Sequence, residues 1–159
     1  MNKIELIEKI TAILAKDLAG LKSAALGTYA AATGEESKPE NKYDTFALEA
    51  SYLAGAQAKR VLDIESSLAV YKTLEVRNFT SQSRIESTAL VEVDLDGKTT
   101  FVFIVPAKGS LTLAHEGISI QVITPQSPLG EALLGSKVGD FVKLDRGSRE
   151  LEYQIVSIR

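Results

Sequence analysis

The chain has 159 residues, 45% hydrophobic and 25% charged, with a formal net charge of −3, a composition that suits one large globular domain or two small ones. Cysteine is absent and His115 is the single histidine, which excludes disulfides, thiolate metal sites, a cysteine nucleophile and any histidine cluster. Residues 1–77 hold ten basic and eleven acidic side chains and residues 78–159 eight and ten, so no basic run marks a nucleic-acid groove and wholesale duplex binding is not expected.

No apolar run approaches the roughly 18 residues of a membrane span. The start, MNKIELIEKITAIL, interleaves charge with Ile and Leu, unlike a signal or transit peptide. The expectation is a cytoplasmic protein without membrane contact.

Residues 2–33 predict one helix. Asn2 is its cap and Glu5, three residues later, completes a capping box. Ile7, Ile10, Leu14, Leu18, Leu21 and Ala25 recur at threes and fours as an apolar stripe. Beyond Gly20 the residues become small, and Gly20 and Gly27 each weaken the helix by about 1 kcal/mol relative to alanine.

The stretch Gly34 to Asp44, GEESKPENKYD, interrupts the pattern with turn-forming types. It carries four carboxylates, Glu35, Glu36, Glu40 and Asp44, against Lys38 and Lys42. Residues 42–75 then predict a second helix, with Phe46, Ala50, Leu53, Gln57, Val61, Ile64, Leu68 and Tyr71 close to a heptad seam. Two such helices joined by a short turn run antiparallel and form a rod of roughly 45 Å with the acid at its tip. An acidic turn also does no more than keep a loop in water in many proteins, so the tip is a candidate rather than a reading forced by composition.

Residues 78–86 read as a linker and 87–159 as a β-rich domain. Ser87–Leu95 and Lys98–Val105 flank Asp96-Gly97, a hairpin signal, and Thr99 to Val105 reads as a central strand. Ile118–Ile123 alternates like a strand. Ser127 caps a short helix with Pro128 at its first position and Gly135 beyond its end. Phe141–Leu144 and Leu151–Ile158 read as closing strands. His115 reads as a surface or loop imidazole, and Phe101, Phe103, Phe141 and Tyr153 as core. Glu92, Asp94 and Asp96 read as a solvated strand face rather than a calcium site.

The run ITPQSPLGEALLGSKVGDFVKLDRGSRELEYQIVSIR resembles the C-terminal domain of the bacterial Gre transcript-cleavage factors. Ser127, Pro128, Leu129, Ala132, Leu133, Leu134, Gly135, Gly139 and Asp140 fit its pattern, as do Tyr153, Ile155, Val156 and Ile158 of the last strand. The resemblance, strongest over 118–159, implies an α+β fold: an N-terminal antiparallel helical hairpin (a coiled coil), then an FKBP-like antiparallel β domain with one short helix. FKBP-like does not imply prolyl isomerase activity, which needs an aromatic-lined pocket.

The resemblance further implies RNA polymerase as partner, with the hairpin entering its secondary channel and nucleic acid met only through the polymerase. The protein is then no enzyme of its own and is expected to be a monomer. Its tip residues Glu36, Glu40, Asn41, Tyr43 and Asp44 would reach the polymerase site, and Glu40 with Glu36 would share a magnesium ion, a cation that takes hard oxygen ligands. Glu40 and Asn41 match the family's Glu-Asn, but the family's aspartate falls on Ser37 and Tyr43 stands one residue closer. A displaced second carboxylate holds magnesium poorly, so the implied role is modulation of elongation, by pausing or initiation as well as by cleavage, with cleavage the least supported. The alternative is a helical-hairpin adaptor for a different protein partner. An independent enzyme is disfavoured: there is no Gly-rich phosphate loop, and Gly135–Gly139 is a turn.

Overall fold

The computed structural model describes residues 1–33, 46–147 and 149–159. Helices α1 (Lys3–Thr33) and α2 (Phe46–Lys72) precede six strands, β1 (Leu90–Leu95), β2 (Lys98–Ile104), β3 (Leu111–His115), β4 (Ile118–Ile123), β5 (Phe141–Arg146) and β6 (Arg149–Ile158), with α3 (Pro128–Leu133) between β4 and β5. This is the α+β order expected, a helical hairpin followed by a mostly antiparallel sheet and one short helix. The contacts divide into a helical unit, Thr11–Lys72, and a β-rich unit that joins Thr73–Arg159 to the first ten residues of the chain.

In the helical unit Leu14, Ile64 and Tyr71 are buried, and Lys22 of α1 is ion-paired with Glu65 of α2 at 2.6 Å. Both partners are near half exposed, so the pair contributes at most about 1 kcal/mol. The apolar stripes matter more. The stripe of α1 starts one residue earlier than its spacing implied: Leu6 rather than Ile7 is fully buried, with Ile10. Among the described residues no helix is long and apolar enough to cross a membrane.

The sheet order is β3-β4-β2-β1-β6-β5. Two turns of the same kind set the hairpins. Asp96 and Gly97 adopt φ of 52° and 81°, and Glu116 and Gly117 adopt 51° and 78°, so each two-residue turn has both central residues left-handed. Leu95 pairs with Lys98 and His115 with Ile118 across them. The β3–β4 hairpin was not anticipated. Its first strand, LTLAH, is only 5 residues long, and Glu-Gly is a weaker turn signal than Asp-Gly. β2 occupies an interior position, as its run of β-formers implied, but it pairs parallel with β4. The sheet is therefore mixed rather than purely antiparallel, and β3 lies within the crossover between the two parallel strands.

Alternation splits the sheet into two apolar faces. One buries Val91, Val93, Val102, Ile104 and Ile155 with Leu133 of α3, Ile85 and Ala89. Ser127 caps α3 by accepting a hydrogen bond from Gly130 N at 3.1 Å, Pro128 stands at its first turn, and Gly135 follows at φ 79°. Ile85, in the stretch read as a linker, is fully buried; its amide donates to Ser136 O and its carbonyl accepts from Gly135 N. The other face carries Leu90, Phe103, Leu113, Ile120 and Val122, all buried. Of the four aromatics expected in the core, Phe103 is fully buried, Phe101 and Tyr153 are partly so, and Phe141 is 60% exposed. Phe141 begins the edge strand β5, which has one neighbour only.

Burial pushes the Tyr71 phenol up from 10.0 to about 12. An unfolded phenol ionises near pH 10 while the folded one stays neutral, so stability is held below that pH and lost as pH rises toward about 12. Urea unfolding between pH 9 and pH 12, followed by helical circular dichroism, is expected to show this loss, and Tyr71→Phe to remove Tyr71's share of it.

Candidate functional site

The tip residues Glu36, Glu40, Asn41, Tyr43 and Asp44, and with them the proposed magnesium ligands, lie outside the described residues. What is described is the pair of helices on either side, 31 and 27 residues long, or roughly 46 and 40 Å at 1.5 Å per residue. Leu62 of α2 is 65% exposed, a large apolar side chain without cover.

The start of α1 is built into the β-rich unit by two lysines. Asn2 Oδ1 accepts from Ile4 N at 3.0 Å and its amide donates to Glu5 at 3.1 Å, which caps the helix as the sequence implied. Lys3 is buried. Its ammonium donates to the carbonyls of Arg77 and Thr88, the latter at 3.1 Å, and lies 4.7 Å from the centre of the Phe79 ring. Burial pushes its pKa below the usual lysine range. Arg77 in turn pairs with Glu86, and its amide donates to the Thr88 hydroxyl. Two turns on, Lys9 Nζ donates to Ala114 O at 2.8 Å and lies 3.2 Å from His115 Nδ1.

His115 is therefore not the surface imidazole its position suggested. It ends β3, is 4% exposed, and has Glu5 and Glu116 carboxylate oxygens each 3.8 Å from Nε2. A lysine ammonium only donates, so Nδ1 is an acceptor here and is not free to take a substrate proton. Sequence spacing could not have found this pairing, because Lys9 and His115 are 106 positions apart.

Two concavities mark the β-rich unit. One, of about 420 Å³, opens beside the α1 start and is lined by Asn2, Lys3, Ile4, Val76, Phe79 and Arg159 among others. The second, of about 280 Å³, lies between α3 and the sheet, against Ile123, Pro128, Leu129, Leu144 and Tyr153. Ser127 at its rim spends its hydroxyl on Gly130 N and Thr124 O, so it is a cap and not a nucleophile. Glu92, Asp94 and Asp96 serve separate tasks. Glu92 accepts from Ser157 Oγ at 2.7 Å, Asp94 accepts from Gly97 N at 3.0 Å, and Asp96 forms the turn. Among the described residues no three His, Asp or Glu side chains are grouped to hold a metal ion.

The described residues form two long helices and a β-rich unit in which Lys3, Lys9, Ser127 and Asp94 spend their polar atoms within the fold. Comparison with known proteins narrows this. The family model for the transcription elongation factor GreA/GreB C-terminal region matches residues 80–159, and the chain belongs to the GreA/GreB family of transcription elongation factors. GreA of Psychromonas ingrahamii is 22% identical over 103 residues, covering 63% of this chain and 60% of that protein. GreA of Acinetobacter baumannii is 26% identical over 102 residues, covering 62% and 60%. The match thus spans about 60% of the length of these curated relatives. Among solved structures, GreA factor homolog 1 (Gfh1) of Thermus thermophilus is similar at 21% identity and a TM-score of 0.39, with 94% of each chain covered. A GreA/GreB factor from Nitrosomonas europaea is similar at 17% identity and a TM-score of 0.37, covering 70% of this chain and 91% of that one. The family assignment rests on residues 80–159 and not on these structural likenesses.

Lys3→Met keeps the aliphatic stem but takes the donor from two carbonyls inside the fold. A loss of about 1–3 kcal/mol is expected, read from the urea midpoint of the β-sheet signal. An unchanged midpoint would show that Lys3 contributes nothing to fastening the helix start.

Proposed function

We propose that the protein binds RNA polymerase, inserts its helical hairpin into the secondary channel and modulates elongation there. One observation carries the reading. In a chain whose C-terminal half belongs to the GreA/GreB family, helices of 31 and 27 residues flank a segment holding Glu35, Glu36, Glu40 and Asp44. In this reading the helical pair would present those carboxylates to the polymerase.

In this proposal the protein has no catalytic group of its own and works through the polymerase. Glu36 and Glu40 would supply carboxylates to a magnesium ion shared in the complex, with Asn41, Tyr43 and Asp44 beside them. Ser37 at the position of the family's aspartate favours modulation of pausing or initiation over stimulated transcript cleavage. The protein would meet nucleic acid only through the polymerase, as a cytoplasmic monomer.

The test is Glu36→Ala combined with Glu40→Ala, assayed on purified core polymerase. Unchanged binding is expected, because the β-rich unit would do the anchoring, together with altered pausing, initiation or cleavage. A double variant that binds and acts as the parent does would remove the tip from the mechanism. Failure of the parent itself to bind core polymerase, in competition with a channel-binding factor, would overturn the whole proposal.

A further inference from the structure

β5 ends the sheet and has β6 as its one neighbour. Ile155 N of β6 donates to Asp140 O, and hydrogen-bonded and non-hydrogen-bonded pairs alternate along an antiparallel ladder. Val142, Leu144 and Arg146 therefore turn their peptide groups toward β6. Phe141, Lys143 and Asp145 turn theirs outward, a row of donors and acceptors that a further strand can join. The side chains of these three share one face with Gln154, Glu152 and Glu150, their partners on β6. It is the face opposite the one on which Val142 and Ile155 are buried. Phe141 is largely exposed there, and so is Val156, two residues beyond Gln154 on the same face.

The edge is also charged, and the charges are patterned. Lys143 Nζ donates to Glu150 at 2.7 Å. That hydrogen bond, with the charges of Glu150, Glu152 and Asp145, holds the Lys143 pKa above the usual lysine range. One ammonium thus faces three carboxylates, and among the described residues Asp145 has no ion pair.

A second β5 can meet this edge antiparallel, about a two-fold axis. The three central registers put the axis at residue 143, 144 or 145. At Lys143 it sets ammonium against ammonium, and at Asp145 carboxylate against carboxylate, both destabilising. At Leu144 it sets Lys143 of each copy against Asp145 of the other. That register also brings each Phe141 over Gly147 of the other copy. Gly147 has φ of 67°, and a Cβ there would meet nothing within 4 Å, so the site is open to an aromatic ring that covers bare backbone.

We propose that β5 is a self-association edge, at which two copies of the chain pair antiparallel with Leu144 at the two-fold axis and the two sheets continue as one. The pairing forms about four main-chain hydrogen bonds between the Lys143 and Asp145 residues of the two copies and the Lys143–Asp145 ion pair twice. Charges on an edge strand keep foreign strands away; here their order admits one partner and one register. The contact is narrow, below the roughly 1,000 Å² of a stable interface, so the dimer is weak and forms with rising concentration. It is a form of the free chain and does not rest on the proposed action at the polymerase, in which the chain acts as a monomer.

Sedimentation equilibrium of the full chain, from micromolar to millimolar concentration, is the test. The parent is expected to dimerise across that range. Lys143→Glu and Asp145→Lys each place like charges opposite one another, and each is expected to weaken self-association about tenfold. Mixed in equal amounts, the two variants are expected to associate again, since every charge at the edge then meets its opposite. Both substitutions are at exposed side chains, and far-UV circular dichroism checks that the fold is kept. A parent that stays monomeric at millimolar concentration, single variants that dimerise as the parent does, or a mixture that fails to associate would overturn the proposal. No polymerase enters the measurement, so its failure is separate from failure of the proposed function.

Discussion

The structure depends on where the first ten residues of the chain are buried. Leu6 and Ile10 are fully buried and Lys3 has its ammonium inside the fold, and these residues belong with Thr73–Arg159 rather than with the rest of their own helix. Fully burying two large aliphatic side chains is worth about 3–6 kcal/mol, several times what the exposed Lys22–Glu65 pair in the helical unit supplies. A buried lysine offsets part of that gain unless its donors are satisfied. Here the carbonyls of Arg77 and Thr88 and the face of Phe79 do so.

That arrangement explains why the stretch between α2 and β1 is not a free tether. Arg77 and Thr88 provide the carbonyls that receive Lys3, and Ile85 is sealed between the sheet and α3 by paired hydrogen bonds with Gly135 and Ser136. The segment's backbone carbonyls at Arg77 and Thr88 accept from the buried Lys3 ammonium. It lacks periodicity because its role is set residue by residue by neighbours distant in sequence.

The division of labour follows the chemistry. Polar groups of the β-rich unit close turns, cap α3 and fasten the start of α1, and among the described residues no three His, Asp or Glu side chains are grouped to hold a metal ion. The segment where Ser37 stands beside Glu36 lies outside the described residues.

Sequence by itself determined the elements whose signals are local. The two long helices, the Asp96-Gly97 hairpin, β4 and the Ser127-Pro128 start of α3 were legible because capping, turn chemistry and periodicity act within a few residues. The candidate tip, Gly34 to Asp44, was legible as chemistry only, a cluster of carboxylates among turn-forming residue types. Tertiary structure alone decided the parallel pairing of β2 with β4, the choice of Leu6 over Ile7 as the buried residue, the exposure of Phe141 and the burial of His115 between Lys9 and two glutamates. Each of these depends on which surfaces meet across tens of residues, and a charge or an apolar side chain carries no record in sequence of the partner that will cover it.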